Sequence, residues 1–213
     1  MKDKIKIGIL SIQGDIEENF NACKDALKQL NIEGEVTNVK DYNEILDLDG
    51  LIVPGGESTV ISTLLSLNQA NWKLLKEKIN NGLSVMGTCA GLILLAKKSY
   101  DKRIGETKQK LLEILDITVE RNAFGRQHES FETELEIPLI GEKPFKGVFI
   151  RGPVIKETGK DVKTLAKYDN EIVAVQQNNI IGTSFHPELT EDSRLHVHFI
   201  KTILKNKEPK NIR

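Results

Sequence analysis

The segment Leu83-Ser84-Val85-Met86-Gly87-Thr88-Cys89-Ala90-Gly91-Leu92 changes periodicity halfway along. Leu83 to Met86 is a short buried-strand run, and from Ala90 the pattern becomes that of an apolar helix, with Gly87 at the turn. A buried strand that feeds a helix through a tight glycine turn is the repeating unit of a parallel sheet covered on both faces. Within it, Gly87-Thr88-Cys89-Ala90-Gly91 has the spacing of a nucleophile elbow, with cysteine where related hydrolases place serine. Such a turn raises the central side chain out of the backbone. Unpaired N–H groups at the helix start then favour negative charge on sulfur. Taken alone, the pentapeptide reads equally well as a glycine-containing loop around a buried, inert thiol.

The strand-helix alternation extends toward the N-terminus. Ile5, Ile7, Ile9 and Leu10 form a mostly apolar strand, and Asp15 with Glu18 has capping-box spacing at the start of a helix. Ile16, Phe20, Cys23, Leu27 and Leu30 then share one helical face, which makes Cys23 a small buried hydrophobe rather than a redox thiol. A strand near Glu35 to Val39 follows, then a short helical segment around Tyr42 to Leu46. Leu51-Ile52-Val53 runs into Pro54-Gly55-Gly56, and helices are predicted over Thr59 to Leu67 and Asn71 to Asn80. The second half is richer in strands: Ile117 to Glu120, Phe131 to Ile137, Gly147 to Ile150, Val162 to Lys167, and a hairpin of Ile172 to Gln177 with Ile180 to Phe185. A helix from Arg194 to Leu204 precedes a polar tail. The expected fold is α/β, with a mostly parallel, flavodoxin-like central sheet, helices on both faces and a strand-rich second half, all in one domain over residues 1–213. In such sheets ligands bind beyond the carboxyl ends of the strands.

Composition narrows the partners. With 30 Lys+Arg against 31 Asp+Glu, the formal charge of -1 creates no whole-chain field toward nucleic acid or anionic lipid. The uncharged run Ile79 to Ala96 reaches the minimum length of a membrane helix, but Asn80, Asn81, Gly82, Ser84, Gly87 and Gly91 interrupt it, so no span is expected. The charge-broken start lacks the apolar core of a signal peptide, and two cysteines make no disulfide framework, so a cytoplasmic location is expected. Nothing in the sequence resembles a P-loop, a dinucleotide fingerprint or a clustered metal site, which is consistent with a chain that holds neither cofactor nor metal.

A thiolate nucleophile needs a base, and there are four histidines. His196 and His198 sit two apart on a helix, point to different faces and read as solvated surface residues. His128 lies in the polar stretch Arg126-Gln127-His128-Glu129 and also reads as surface. His186-Pro187-Glu188 follows directly on a strand. Residues two apart in an extended chain face the same side, so the Glu188 carboxylate can fix the tautomer of His186 and stabilise its imidazolium. In isolation the tripeptide is more often a strand-end turn with its glutamate in solvent. Beside an elbow cysteine it completes a possible Cys89-His186-Glu188 triad.

These motifs resemble the class I, triad-type glutamine amidotransferases. Longer strings, Pro54-Gly55-Gly56-Glu57-Ser58-Thr59, Gly87 to Leu92, Val119-Glu120-Arg121-Asn122, Phe124-Gly125-Arg126-Gln127, Gly147-Val148-Phe149-Ile150-Arg151 and Ser184 to Thr190, are similar to those of the glutaminase subunits of pyridoxal 5'-phosphate synthases. Ala123 and Gly152 depart from that pattern, where serine and alanine are expected. The resemblance implies that Cys89 attacks the side-chain carboxamide of L-glutamine, that the backbone N–H groups of Gly56 and Ala90 receive the oxyanion, and that Gly56, Glu57, Ser58, Arg121, Ile150 and Arg151 line the glutamine site. It also implies a (β/α)8-barrel synthase subunit as the partner that takes the ammonia. The vitamin is then a product, and no cofactor binds here. A glutaminase serving another acceptor, a stand-alone cysteine hydrolase and a non-catalytic scaffold are the competing readings.

Overall fold

The computed structural model describes residues 4–101, 105–123 and 130–208. The first half alternates as the sequence predicts: β1 (Ile5–Leu10), α1 (Ile16–Gln29), β2 (Gly34–Val39), a 3-10 turn over Tyr42–Asp47, β3 (Gly50–Val53), α2 (Ser58–Ser66), α3 (Gln69–Asn80), β4 (Ser84–Thr88) and α4 (Ala90–Leu95). Then come β5 (Ala96–Asp101), β6 (Gly105–Glu106), β7 (Leu115–Arg121), β8 (Ser130–Leu135), β9 (Phe145–Ile150), β10 (Val154–Thr158), β11 (Lys163–Tyr168), β12 (Glu171–Gln177), β13 (Ile180–Thr183) and α5 (Arg194–Lys207). The strands β2, β1, β3, β4 and β13 lie side by side and parallel; beyond β13 the sheet continues through antiparallel β12 and β10 to β7, β5 and β6. The expected β12–β13 hairpin is present, and β8 pairs with β9 as a separate antiparallel ribbon.

Period-2 alternation in the parallel strands builds two cores. Leu51, Val53 and Val85 face α2, α3 and α4, where Ile61, Leu65, Trp72, Leu75 and Leu92 are buried. Ile7, Ile9, Ile52, Met86 and Ile181 face α1 and α5, against Cys23, Leu27, Phe199 and Ile203. Cys23 is fully buried, and burial pushes its thiol pKa up, so it packs as the small hydrophobe predicted. The uncharged run from Ile79 to Ala96 is divided among α3, β4 and α4; no helix among the described residues is long and apolar enough to cross a membrane.

The structure corrects several of these expectations. The helix after the elbow stops at Leu95 and passes straight into β5, and the sequence pattern predicts neither β5 nor β10; both strands are held by pairing with β7 rather than by apolar alternation of their own. Asp15 occupies the N-cap of α1 but makes no capping hydrogen bond; the capping box forms instead between Asp41 and Glu44. His196 is not a surface residue: it is fully buried, with neither ring nitrogen hydrogen-bonded among the described residues. His198 is half-buried and its Nε2 lies 2.9 Å from Gln176 Oε1. His128 lies outside the described residues.

Burial lowers the His196 pKa from 6.5 to about 4. Below pH 6.5 the unfolded chain therefore takes up a proton that the fold refuses, so this residue's contribution is fully present above 6.5 and lost as pH falls toward 4. We expect wild type to lose about 2 kcal/mol more stability than His196→Leu between pH 7.5 and 5. Urea unfolding of both proteins at the two pH values checks this; equal losses would refute it.

Candidate active site

The carboxyl ends of β1, β3, β4 and β13 are neighbours in the sheet, so the loops that follow them meet at one edge. The loop after β1 brings Asp15, the turn after β3 brings Gly55 and Gly56, the elbow after β4 brings Cys89, and the turn after β13 brings His186 and Glu188.

Cys89 has φ 49° and ψ -100°, a conformation that costs a non-glycine residue on the order of 1–3 kcal/mol. Its N–H donates to Thr183 O at 2.8 Å, and its carbonyl accepts from Ile93 N at 3.2 Å, which fixes the elbow between β13 and α4. The sulfur is 3.8 Å from Ile150 O. His186 is anchored by its N–H donating to Val148 O at 2.8 Å, and its Nδ1 lies 3.0 Å from Glu188 Oε1. Thr88 Oγ1 donates to the same oxygen at 3.4 Å. The Glu188 side chain is fully buried, and the opposite ring nitrogen, Nε2, is buried without a hydrogen-bond partner among the described residues. Gly55 approaches the ring so closely that a Cβ there would be 3.0 Å from Nδ1 and closer still to Cε1. Only glycine fits.

A residue that sequence reasoning missed completes the cluster. Asp15 Oδ2 also stands 3.0 Å from His186 Nδ1. Burial opposes a charge on the ring, but the hydrogen bonds with Asp15 and Glu188 at Nδ1 and the influence of the Cys89 side chain outweigh it and raise the His186 pKa well above 6.5. In return, the hydrogen bond from His186 is the main influence that lowers the Asp15 carboxyl pKa. The three ligand atoms of Asp15, His186 and Glu188 lie within 4.8 Å of one another. A metal at Nδ1 would have to replace the proton that two carboxylates attract, and we assign the trio to proton binding.

A second group forms along the start of α2. Glu57 is the N-cap, its carboxylate accepting from Thr59 N at 3.2 Å and Val60 N at 2.8 Å, and it pairs with Arg121 at 3.4 Å. Partial burial would raise the Glu57 pKa, but the two backbone donors and Arg121 lower it. Ser58 Oγ donates to Gln109 Oε1 at 3.1 Å, and Arg121 Nη1 donates to the same oxygen at 3.3 Å. Gln109, which carries no local sequence signal, thus joins Ser58 to Arg121. Of the residues expected to line a glutamine site, Ile150 is brought to Cys89 by its carbonyl, Gly56 lies in the Gly55 turn at φ 142°, and Glu57, Ser58 and Arg121 are held together. Arg151 is exposed at φ 45° directly after Ile150. Ala90 is the first residue of α4, where an N–H has no intrahelical partner.

A solved structure described as a glutamine amidotransferase matches this fold with a TM-score of 0.79 and 42% sequence identity, over 92% of this chain and 98% of that one. The class is therefore that of the glutamine amidotransferases. The chain belongs to the SNO glutamine amidotransferase family, whose sequence profile matches residues 9–205. It is 47% identical over 203 residues to a protein of Nitrosopumilus maritimus named pyridoxal 5'-phosphate synthase subunit PdxT, covering 95% of this chain and 98% of that protein. It is 49% identical over 202 residues to the protein of the same name from Pyrococcus furiosus, covering 94% and 100%.

Proposed function

We propose that the chain hydrolyses L-glutamine to L-glutamate and ammonia through Cys89, His186 and Glu188, and supplies the ammonia to a barrel-type synthase subunit that makes pyridoxal 5'-phosphate. One observation carries the reading: an elbow thiol beside a histidine whose other ring nitrogen is held by a buried glutamate, in a chain of an amidotransferase family. The names of the relatives support the acceptor.

The chemistry follows from the charges at the strand ends. Sulfur attacks the side-chain carboxamide carbon, and the carbonyl oxygen takes the negative charge. The N–H groups of Ala90 and Gly56 receive that oxyanion. His186, as imidazolium, delivers its Nε2 proton to the departing nitrogen, the C–N bond breaks, and ammonia leaves a γ-glutamyl thioester on Cys89. Water then adds to the thioester carbon, His186 takes its proton, and the C–S bond breaks to release glutamate. Glu188 keeps the ring turned toward sulfur and balances its charge. Arg121, Arg151 and Glu57 supply the charges that complement the α-carboxylate and α-ammonium of the substrate.

The test is ammonia release from L-glutamine, measured with and without a barrel-type pyridoxal 5'-phosphate synthase subunit, with L-asparagine as the shorter control. Release is expected from glutamine only, faster by at least tenfold with the synthase present, because docking orients the Gly55-Gly56 donor. No ammonia under either condition would overturn the function; equal rates would overturn the docking step alone.

A further inference from the structure

Asp15 is placed to cap a helix and does not do so. Its carboxylate leaves the first N–H groups of α1 and lies against His186 Nδ1 at the same 3.0 Å as Glu188 Oε1. One ring nitrogen with one proton thus faces two carboxylates. They reach it from different elements: Glu188, fully buried, from the turn that carries the histidine itself, and Asp15, partly exposed, from the loop after β1.

That loop is itself pinned. Gln13 Oε1 accepts from Glu57 N at 3.2 Å. A Cβ on Gly14 would lie 2.7 Å from the Gly55 carbonyl carbon and closer to its oxygen, so the loop rests directly on the turn expected to supply an oxyanion donor. Asp15 is therefore held near the ring by a loop packed against the Gly55-Gly56 turn.

We propose that Asp15 is a positioning residue of the reaction, forming with Glu188 a two-carboxylate clamp that keeps His186 protonated and turned toward Cys89. The inference rests on the roles given to Cys89 and His186 above. Among the described residues, the titratable groups that face the ring are Asp15 from the loop after β1, Cys89 from the elbow and Glu188 from the ring's own turn. None of these three is a cation, and Asp15 leads the influences that offset the cost of burying the imidazolium.

Asp15→Asn removes the charge at nearly constant size, and Asp15→Ser is a second variant; both residues are good N-caps, so α1 keeps its start. In the full chain, the His186 Hε1 resonance should show the wild-type ring protonated to the alkaline end of the folded range. In both variants it should lose its proton at least one pH unit earlier. In the complex with the synthase, the alkaline limb of kcat/KM for glutamine should move the same way, with KM changed less than threefold. If the ring titrates and the limb falls where wild type has them, Asp15 is only structural and the clamp is refuted. A Cys89→Ala variant that still released ammonia would instead sink the underlying roles, while the ring titration would still judge Asp15.

Discussion

Replacing Cys89 with alanine is expected to cut ammonia release from glutamine by a factor on the order of 10⁴ or more while the chain stays folded. Alanine keeps the Cβ, so the N–H to Thr183 and the turn into α4 are preserved, and with them the oxyanion donors and the substrate contacts. What is lost is the atom that bonds to the amide carbon, and water at that point has neither the sulfur's nucleophilicity nor its fixed position. KM should change little, because binding rests on other groups. The strain at φ 49° also remains, so alanine should not raise the melting temperature, whereas Cys89→Gly should, by relieving a conformation only glycine adopts cheaply. Steady-state ammonia assays with thermal unfolding decide both points; retention of a tenth of wild-type turnover would remove Cys89 from the reaction.

The parts of this site that could be read in the sequence are those whose geometry is local. An elbow cysteine is defined by five consecutive residues, and His186 with Glu188 by three, so each motif carries its own shape and needs only to be placed at a strand end. The alternating pattern of β1 to β4 supplied that placement. Asp15 was hidden because its neighbours offered it a local use, the capping spacing with Glu18, and a contact with a residue from the far end of the chain prevailed. Gln109 had no local use at all. The burial of His196 has a different origin: Leu195, Phe199, Ile200 and Ile203 form a 3.6-residue stripe that includes it, whereas its spacing of two from His198 says nothing about exposure. The strands β5 and β10 escaped because Lys97-Lys98 and Lys156-Glu157 break any apolar alternation; partners made them strands. Arg121, Ile150 and Arg151 came from family resemblance alone, since an arginine near a loop end has no distinguishing pattern of its own.

Gly91→Ala should be severely damaging for a change of a single methyl group. A Cβ at this position would lie 2.9 Å from the Val53 carbonyl carbon, closer still to its oxygen, and 3.2 Å from the Val53 Cβ. Two of the three obstacles are backbone, so no rotamer change relieves them. Val53 is fully buried at the end of β3, which is paired on both sides by β1 and β4 and is not free to retreat. The strain must be taken up by α4, and the first turn of α4 is what carries Cys89. Overpacking of a close-packed site typically costs about 1–3 kcal/mol, and more where backbone meets backbone, so we expect about 3 kcal/mol or more of lost stability. Displacing the sulfur by roughly an ångström should in addition cost about 10²-fold in kcat among molecules that remain folded. The two losses are separable, since urea unfolding reports the first, and turnover at a temperature where the variant is native reports the second. Both follow from one contact: the elbow stands upright because helix and strand meet across a residue without a side chain. A variant as stable and as active as wild type would mean that α4 can shift against β3 without moving the sulfur, and the rigid elbow on which the proposed attack geometry depends would have to be abandoned.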